Sequence, residues 1–134
     1  MSPNQFTVEQ ANRTLPLVRR IVEDIVIGYR RWRVRIDEFE VATINSRPDS
    51  PDVRAGELER EALALAADIA GYEAELAQLG VRCTDHGTGL VDFPGEPDGR
   101  PIDLCWRLGE PAVQYWHEIG AGYAARHPLP SRAA

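Results

Sequence analysis

Lysine is absent from this chain, and all fifteen basic residues are arginine. A lysine Schiff base, a phosphate-loop lysine and a lysine general base are therefore excluded. Serine is confined to Ser2, Ser46, Ser50 and Ser131, and no Gly-x-Ser-x-Gly elbow exists, which removes the ordinary serine hydrolases. Cys83 and Cys105 are too few for a disulfide scaffold. No apolar run approaches the ~20 residues that span a bilayer, and Met1–Gln5 carries no charged-then-apolar export signal. The expectation is a cytoplasmic protein with free thiols and no membrane contact. Gly87-Thr88-Gly89 lacks the helix that a phosphate loop requires, so it reads as a turn and no cofactor is expected.

What is present suits one folded domain. The 134 residues carry 43% hydrophobic and 27% charged side chains, ordinary values for a globular domain. The net charge of −6 argues against generic nucleic-acid binding, because an acidic chain repels phosphate backbones.

Thr7 followed by Gln10 reads as a capping box at a helix start. Pro16 either kinks that helix or opens a second one after a short helix over 8–14. Ala11, Leu15, Val18, Val22, Ile25, Tyr29, Trp32, Ile36 and Phe39 then alternate in steps of four and three, a heptad seam. The proline-rich stretch Asn45–Asp52 breaks the pattern. Leu58, Ala62, Leu65, Ile69, Tyr72, Leu76 and Leu79 form a second seam, ended by Gly80. The spacing predicts helices over about 15–44 and 54–79, folded back as an antiparallel, coiled-coil-like hairpin.

Beyond Gly80 the period falls to two. Strands are expected near 81–84, 89–93, 102–108 and 112–117, in an antiparallel meander with Asp98-Gly99 at a turn. Ile102, Leu104, Trp106 and Leu108 share one face of the third strand, and Asp103, Cys105 and Arg107 share the other. The fold class is therefore α+β: a hairpin over about 7–80, a β-meander over 81–118, and a tail over 119–134 read as irregular with a disordered end.

Phe6-Thr7-Val8-Glu9-Gln10-Ala11-Asn12-Arg13-Thr14-Leu15-Pro16 resembles the opening of a bacterial family known only as domain of unknown function 2203. Gly89–Pro94, Leu104–Glu110 and Tyr115–Glu118 resemble its C-terminal signature. The resemblance implies a small cytoplasmic bacterial protein and brings no established activity, cofactor or catalytic residue.

Four groups of residues bear on chemistry. Asp92, Arg107, Glu110, His117 and Glu118 are the candidate binding residues, with Asp103 and Cys105 beside them. A carboxylate, an imidazole and a guanidinium together can bind an anion or move a proton, and the alternative is a structural ion-pair network. Cys83 and His86 have ligand-like spacing, and Cys105 and His117 could complete a metal set of two cysteines and two histidines. Structural zinc sites favour paired short spacings on both sides, and 105 to 117 is loose, so no metal is expected. Cys105 lies mid-strand, a poor place for a nucleophile. The run Tyr29–Arg35 mixes arginine with aromatics, but Tyr29 and Trp32 belong to the seam, and the arginines can reach glutamates across the hairpin.

The resulting expectation is a non-catalytic interaction module, homodimeric or docking a protein partner through the hairpin. The competing expectation is a small-molecule or metal site, or an enzyme, built around Arg107, Glu110, His117 and Glu118. The dimer expectation rests on length and pattern. A helix over 15–44 is about 45 Å long, and Ile27, Val34 and Val41 lie opposite the seam, where the sheet can cover only one stretch. The alternative is a monomer whose sheet and C-terminal tail wrap that face.

Overall fold

The computed structural model describes residues 5–130. Helix α1 spans Val8–Asn45 and α2 spans Val53–Gln78. Five strands follow: β1 Arg82–Asp85, β2 Leu90–Gly95, β3 Ile102–Arg107, β4 Tyr115–His117 and β5 His127–Pro128. They form one antiparallel sheet in the order β1-β2-β3-β4-β5. The architecture is the expected α+β hairpin and meander.

The helix ends follow local chemistry. The Thr7 hydroxyl accepts from the Gln10 amide while the Gln10 side chain accepts from the Thr7 amide, so the capping box is complete. Pro16 lies within one continuous helix and starts no second one. At the far end of α2, Gly80 takes φ +84°, which costs a glycine little. The Gly80 amide then donates to Ala77 and the Val81 amide to Leu76, closing the helix as a Schellman motif.

The sheet packs on the proximal half of the hairpin. Val91, Phe93, Leu104 and Trp106 are buried in one core with Ala11, Leu15, Val18, Val22 and Ile25 of α1 and with Ile69 and Leu76 of α2. The two helices approach closely at Gly28, where a Cβ would lie 3.2 Å from Ile69. The opening segment is stitched to the sheet. The Phe6 amide donates to the Pro94 carbonyl at 2.7 Å, and the Phe6 and Phe93 rings meet edge to face.

The distal half has no sheet beneath it. A 38-residue helix is about 57 Å long, and the shared core ends near Trp32. Past that point only Ala42 of α1 and Leu58 and Ala62 of α2 are buried. The helices there are held by their seam and by ion pairs such as Arg35–Glu61 at 2.9 Å. The hairpin therefore extends beyond the globule as an arm.

Two expectations need correction. The fourth strand is shorter than 112–117, because residues 108–114 form a broad connection in which the Asn12 side chain bonds both main-chain groups of Val113. The tail is ordered rather than irregular: a 3-10 turn at Tyr123–Ala125 leads into β5, which pairs with β4. The expected disordered end at 131–134 lies outside the described residues.

Candidate functional site

Strand alternation sorts the sheet into two faces. With Phe93 and Leu104 turned to the helices, the opposite face carries Asp92 directly across from Cys105, and Asp103 directly across from His117. Arg82 of β1 stands across from Asp92. Charged residues on such a face are ordinarily solvated. Here Asp92, Asp103 and His117 are each at most 4% exposed and Cys105 is fully buried.

The cover comes from the chain after β4. Residues 118–126 lie across this face, with the Gly120 amide bonded to Asp103 and the Arg126 guanidinium against the Cys105 thiol. The strap is anchored by Arg126. Its guanidinium donates to both oxygens of Glu110, at 2.9 and 2.6 Å, and lies between the rings of Tyr115 and Tyr123 at 3.9 and 4.1 Å. The Arg107 amide also donates to Glu110, at 2.8 Å.

Beneath the strap His117 is held at both ring nitrogens. Nδ1 lies 2.7 Å from the Glu118 carbonyl oxygen, and Nε2 lies 2.9 Å from Asp92 Oδ1. Asp103 Oδ2 lies 4.0 Å from Nδ1 and 3.9 Å from the Arg82 guanidinium, and this buried oxygen has no hydrogen-bond partner. Arg82 also lies 3.7 Å from Asp92 Oδ2. Asp92, Cys105 and His117 each present one ligand-type atom, and these atoms lie within 4.8 Å of one another.

The electrostatics follow from this packing. Burial works against a charged His117, but the bonds to the Glu118 carbonyl and to Asp92 outweigh it and raise the pKa. Burial, reinforced by Asp92, raises Asp103, against the opposing pull of His117 and Arg82. Burial pushes the Cys105 thiol up to about 11, so the free thiol is neutral. Burial also acts to raise Glu110, but hydrogen bonding to Arg126 wins and the carboxyl is held below its ordinary value.

Arg107, Glu110, His117 and Glu118 do not form the single cluster expected of them. Glu110 takes Arg126, His117 takes Asp92, and the Glu118 carboxylate pairs with Arg100. Arg107 ends β3 with an exposed side chain that reaches the Tyr123 ring. The wide 108–114 connection and the strap, rather than a tight turn, choose these partners. The candidate set Cys83, His86, Cys105 and His117 is likewise divided by strand parity. Cys83 opposes Val91 and so faces the helices, where burial raises its thiol to about 11. His86 pairs with Glu73 of α2 and packs on Tyr29. Sequence reasoning passed over Arg82 and Arg126. Arg82 is one strand position ahead of Cys83, a visible parity signal, whereas Arg126 sits in a tail with no periodic signal at all.

A family model described as "Uncharacterized conserved protein (DUF2203)" matches residues 4–129. No curated protein and no solved structure matches the chain. No helix among the described residues is long and apolar enough to cross a membrane.

Proposed function

We propose a role for a chain that belongs to the DUF2203 family of uncharacterized conserved proteins: it is a non-catalytic interaction module, cytoplasmic and bacterial, that pairs with a second copy of itself through the projecting hairpin. The observation that carries this reading is a row of apolar side chains on the outer side of α1. Ile27, Val34 and Val41 are 48%, 49% and 61% exposed. They recur every seven residues, so they form one stripe about 21 Å long on the outer side of α1, with Val41 at its end lining a recess shared with Arg54 and Leu58 of α2. A stripe of this kind is the usual mark of an association surface.

The charges beside the stripe favour a second copy over a different protein. Arg30 and Arg31 flank it on one side of Val34, and Asp37 and Glu38 flank it on the other. A two-fold axis passing near Val34 sets Ile27 against the partner copy's Val41. The same axis sets the arginines against the partner copy's acids. The surface is self-complementary, which is what a two-fold interface requires. Four helices then pack antiparallel about the axis. The acidic balance of the chain argues against a nucleic-acid partner.

Sedimentation at micromolar concentration tests the reading. The wild-type protein is expected at twice its chain mass of 14.9 kDa, and Val34→Glu at the single-chain mass. Val34 is half exposed, so the substitution leaves the fold intact by circular dichroism. Arg31→Glu alone should weaken pairing, and Arg31→Glu with Asp37→Arg should restore it. A wild-type monomer, or a Val34→Glu dimer of unchanged affinity, rejects the proposal.

A further inference from the structure

We propose that Asp92, Cys105 and His117 form a binding site for a single divalent transition-metal ion of the zinc class, roofed by the C-terminal strap. The orientation of the His117 ring is the first support. A carbonyl oxygen can only accept, so the 2.7 Å contact with Glu118 places a hydrogen on Nδ1. In the neutral ring Nε2 then carries a lone pair facing Asp92 Oδ1, 2.9 Å away. In the protonated ring it carries a proton shared with Asp92. Two lone pairs at that distance repel unless a cation or a proton stands between them. A histidine that donates Nδ1–H to a backbone carbonyl and turns Nε2 toward a carboxylate has the posture of a metal ligand.

The second support is the unpartnered oxygen of Asp103. Its Oδ2 is buried without a hydrogen bond, on the same face and 4.0 Å from the imidazole. Such an orphan is costly unless a nearby positive charge compensates it. Arg82 is 3.9 Å away but is shared with Asp92. If a dication takes Asp92 and the Cys105 thiolate, Arg82 is left to Asp103 and Arg126 to Glu110. The buried face is then neutral group by group.

The donor set selects the ion. One thiolate, one imidazole and one carboxylate suit zinc and its neighbours, not magnesium or calcium, which take oxygen ligands. The ligand atoms lie within 4.8 Å of one another, and the edges of a tetrahedral zinc site are about 3.5 Å. Side-chain rotation of about 1 Å closes that difference. Binding releases the Cys105 thiol proton and any proton held between Nε2 and Asp92, so uptake weakens in acid. The strap shields the site and leaves the fourth position to a single water molecule. The stoichiometry is one ion per chain, independent of whether chains pair through the arm.

The test uses Co2+ as a spectroscopic stand-in for Zn2+ on the full chain after chelator treatment. The expected result is one equivalent bound, with a thiolate-to-cobalt charge-transfer band in the near ultraviolet and tetrahedral bands in the visible, all abolished by Zn2+. Cys105→Ser should remove the charge-transfer band. Asp92→Asn should weaken binding by at least about tenfold. Cys83→Ser should change nothing. His117→Ala risks the fold, so Asp92→Asn and Cys105→Ser carry the test, each checked by circular dichroism. The proposal is overturned by the absence of a cobalt band at equimolar metal, by a band that survives Cys105→Ser, or by one that disappears with Cys83→Ser. It is equally overturned if nitrogen NMR of the wild-type chain with equimolar Zn2+ finds both His117 ring nitrogens protonated, which would leave a metal-free ion pair as the occupant.

Discussion

Arg126→Ala should cost about 3 kcal/mol of folding stability, although residue 126 lies in the tail. The side chain makes two charge-assisted bonds to Glu110, whose side chain is 18% exposed against 13% for Arg126. Hydrogen bonds to charged groups contribute roughly 1.5–3 kcal/mol, and partial exposure places this pair at the lower end. Stacking against Tyr115 and Tyr123 adds about 0.5–1 kcal/mol per ring. Urea unfolding in chelator, so that metal plays no part, measures the total. With a slope of about 2 kcal/mol per molar, the midpoint should fall by about 1.5 M. Arg126→Lys should recover only a minor part, because an ammonium can neither fork onto both oxygens nor lie flat between two rings. The pH profile supplies an independent check. The native Glu110 pKa is below its ordinary value of 4.5, so its contribution is fully present above that value and is lost as pH falls through the lowered native value. The stability gap between wild type and Glu110→Gln should therefore be flat at neutral pH and close only in acid. A cost for Arg126→Ala within about 0.5 kcal/mol, the range of an ordinary surface change, would refute the anchoring role.

Two further predictions concern the scaffold. Gly89 has φ +73°, and an added Cβ would lie 2.8 Å from Leu108 Cβ and 2.9 Å from Val22 Cγ1. Gly89→Ala should destabilise by about 2–4 kcal/mol, the sum of left-handed strain and overpacking, seen as a fall in melting temperature on the order of 10 °C; an unchanged melting temperature would contradict the geometry. Asn12 receives the Val113 amide at 2.7 Å, and Asn12→Ala leaves that buried donor unmatched, a cost of about 2 kcal/mol. Hydrogen exchange at Val113 should accelerate in that variant, and unchanged protection would show that the clamp is not needed.

Much of the architecture was legible because it is written in short periods. The four-three seams through Val18–Phe39 and Leu58–Leu79 repeat one instruction many times, so an error at any position is outvoted. The same redundancy made the strand faces readable: parity alone separates Leu104 and Trp106 from Asp103 and Cys105. Gly80 and the Thr7–Gln10 box act within one helical turn, and adjacent residues suffice to read them.

The site was only half legible, for the opposite reason. His117 and Asp92 both stood out as residue types, but their pairing spans 25 positions, and a one-residue slip in register would turn either to the other face. Arg126 reaches Glu110 and Cys105 only because the tail turns back over the sheet, and nothing periodic in 119–130 announces that turn. The Asn12–Val113 clamp joins positions 101 apart. By itself the sequence determined the helices, the seam, the strand faces and the unpartnered row of Ile27, Val34 and Val41, because each depends on neighbours along the chain. Tertiary structure alone decided that Asp92, Asp103, Cys105 and His117 are buried together under a strap, because burial there depends on which distant segment lies on top.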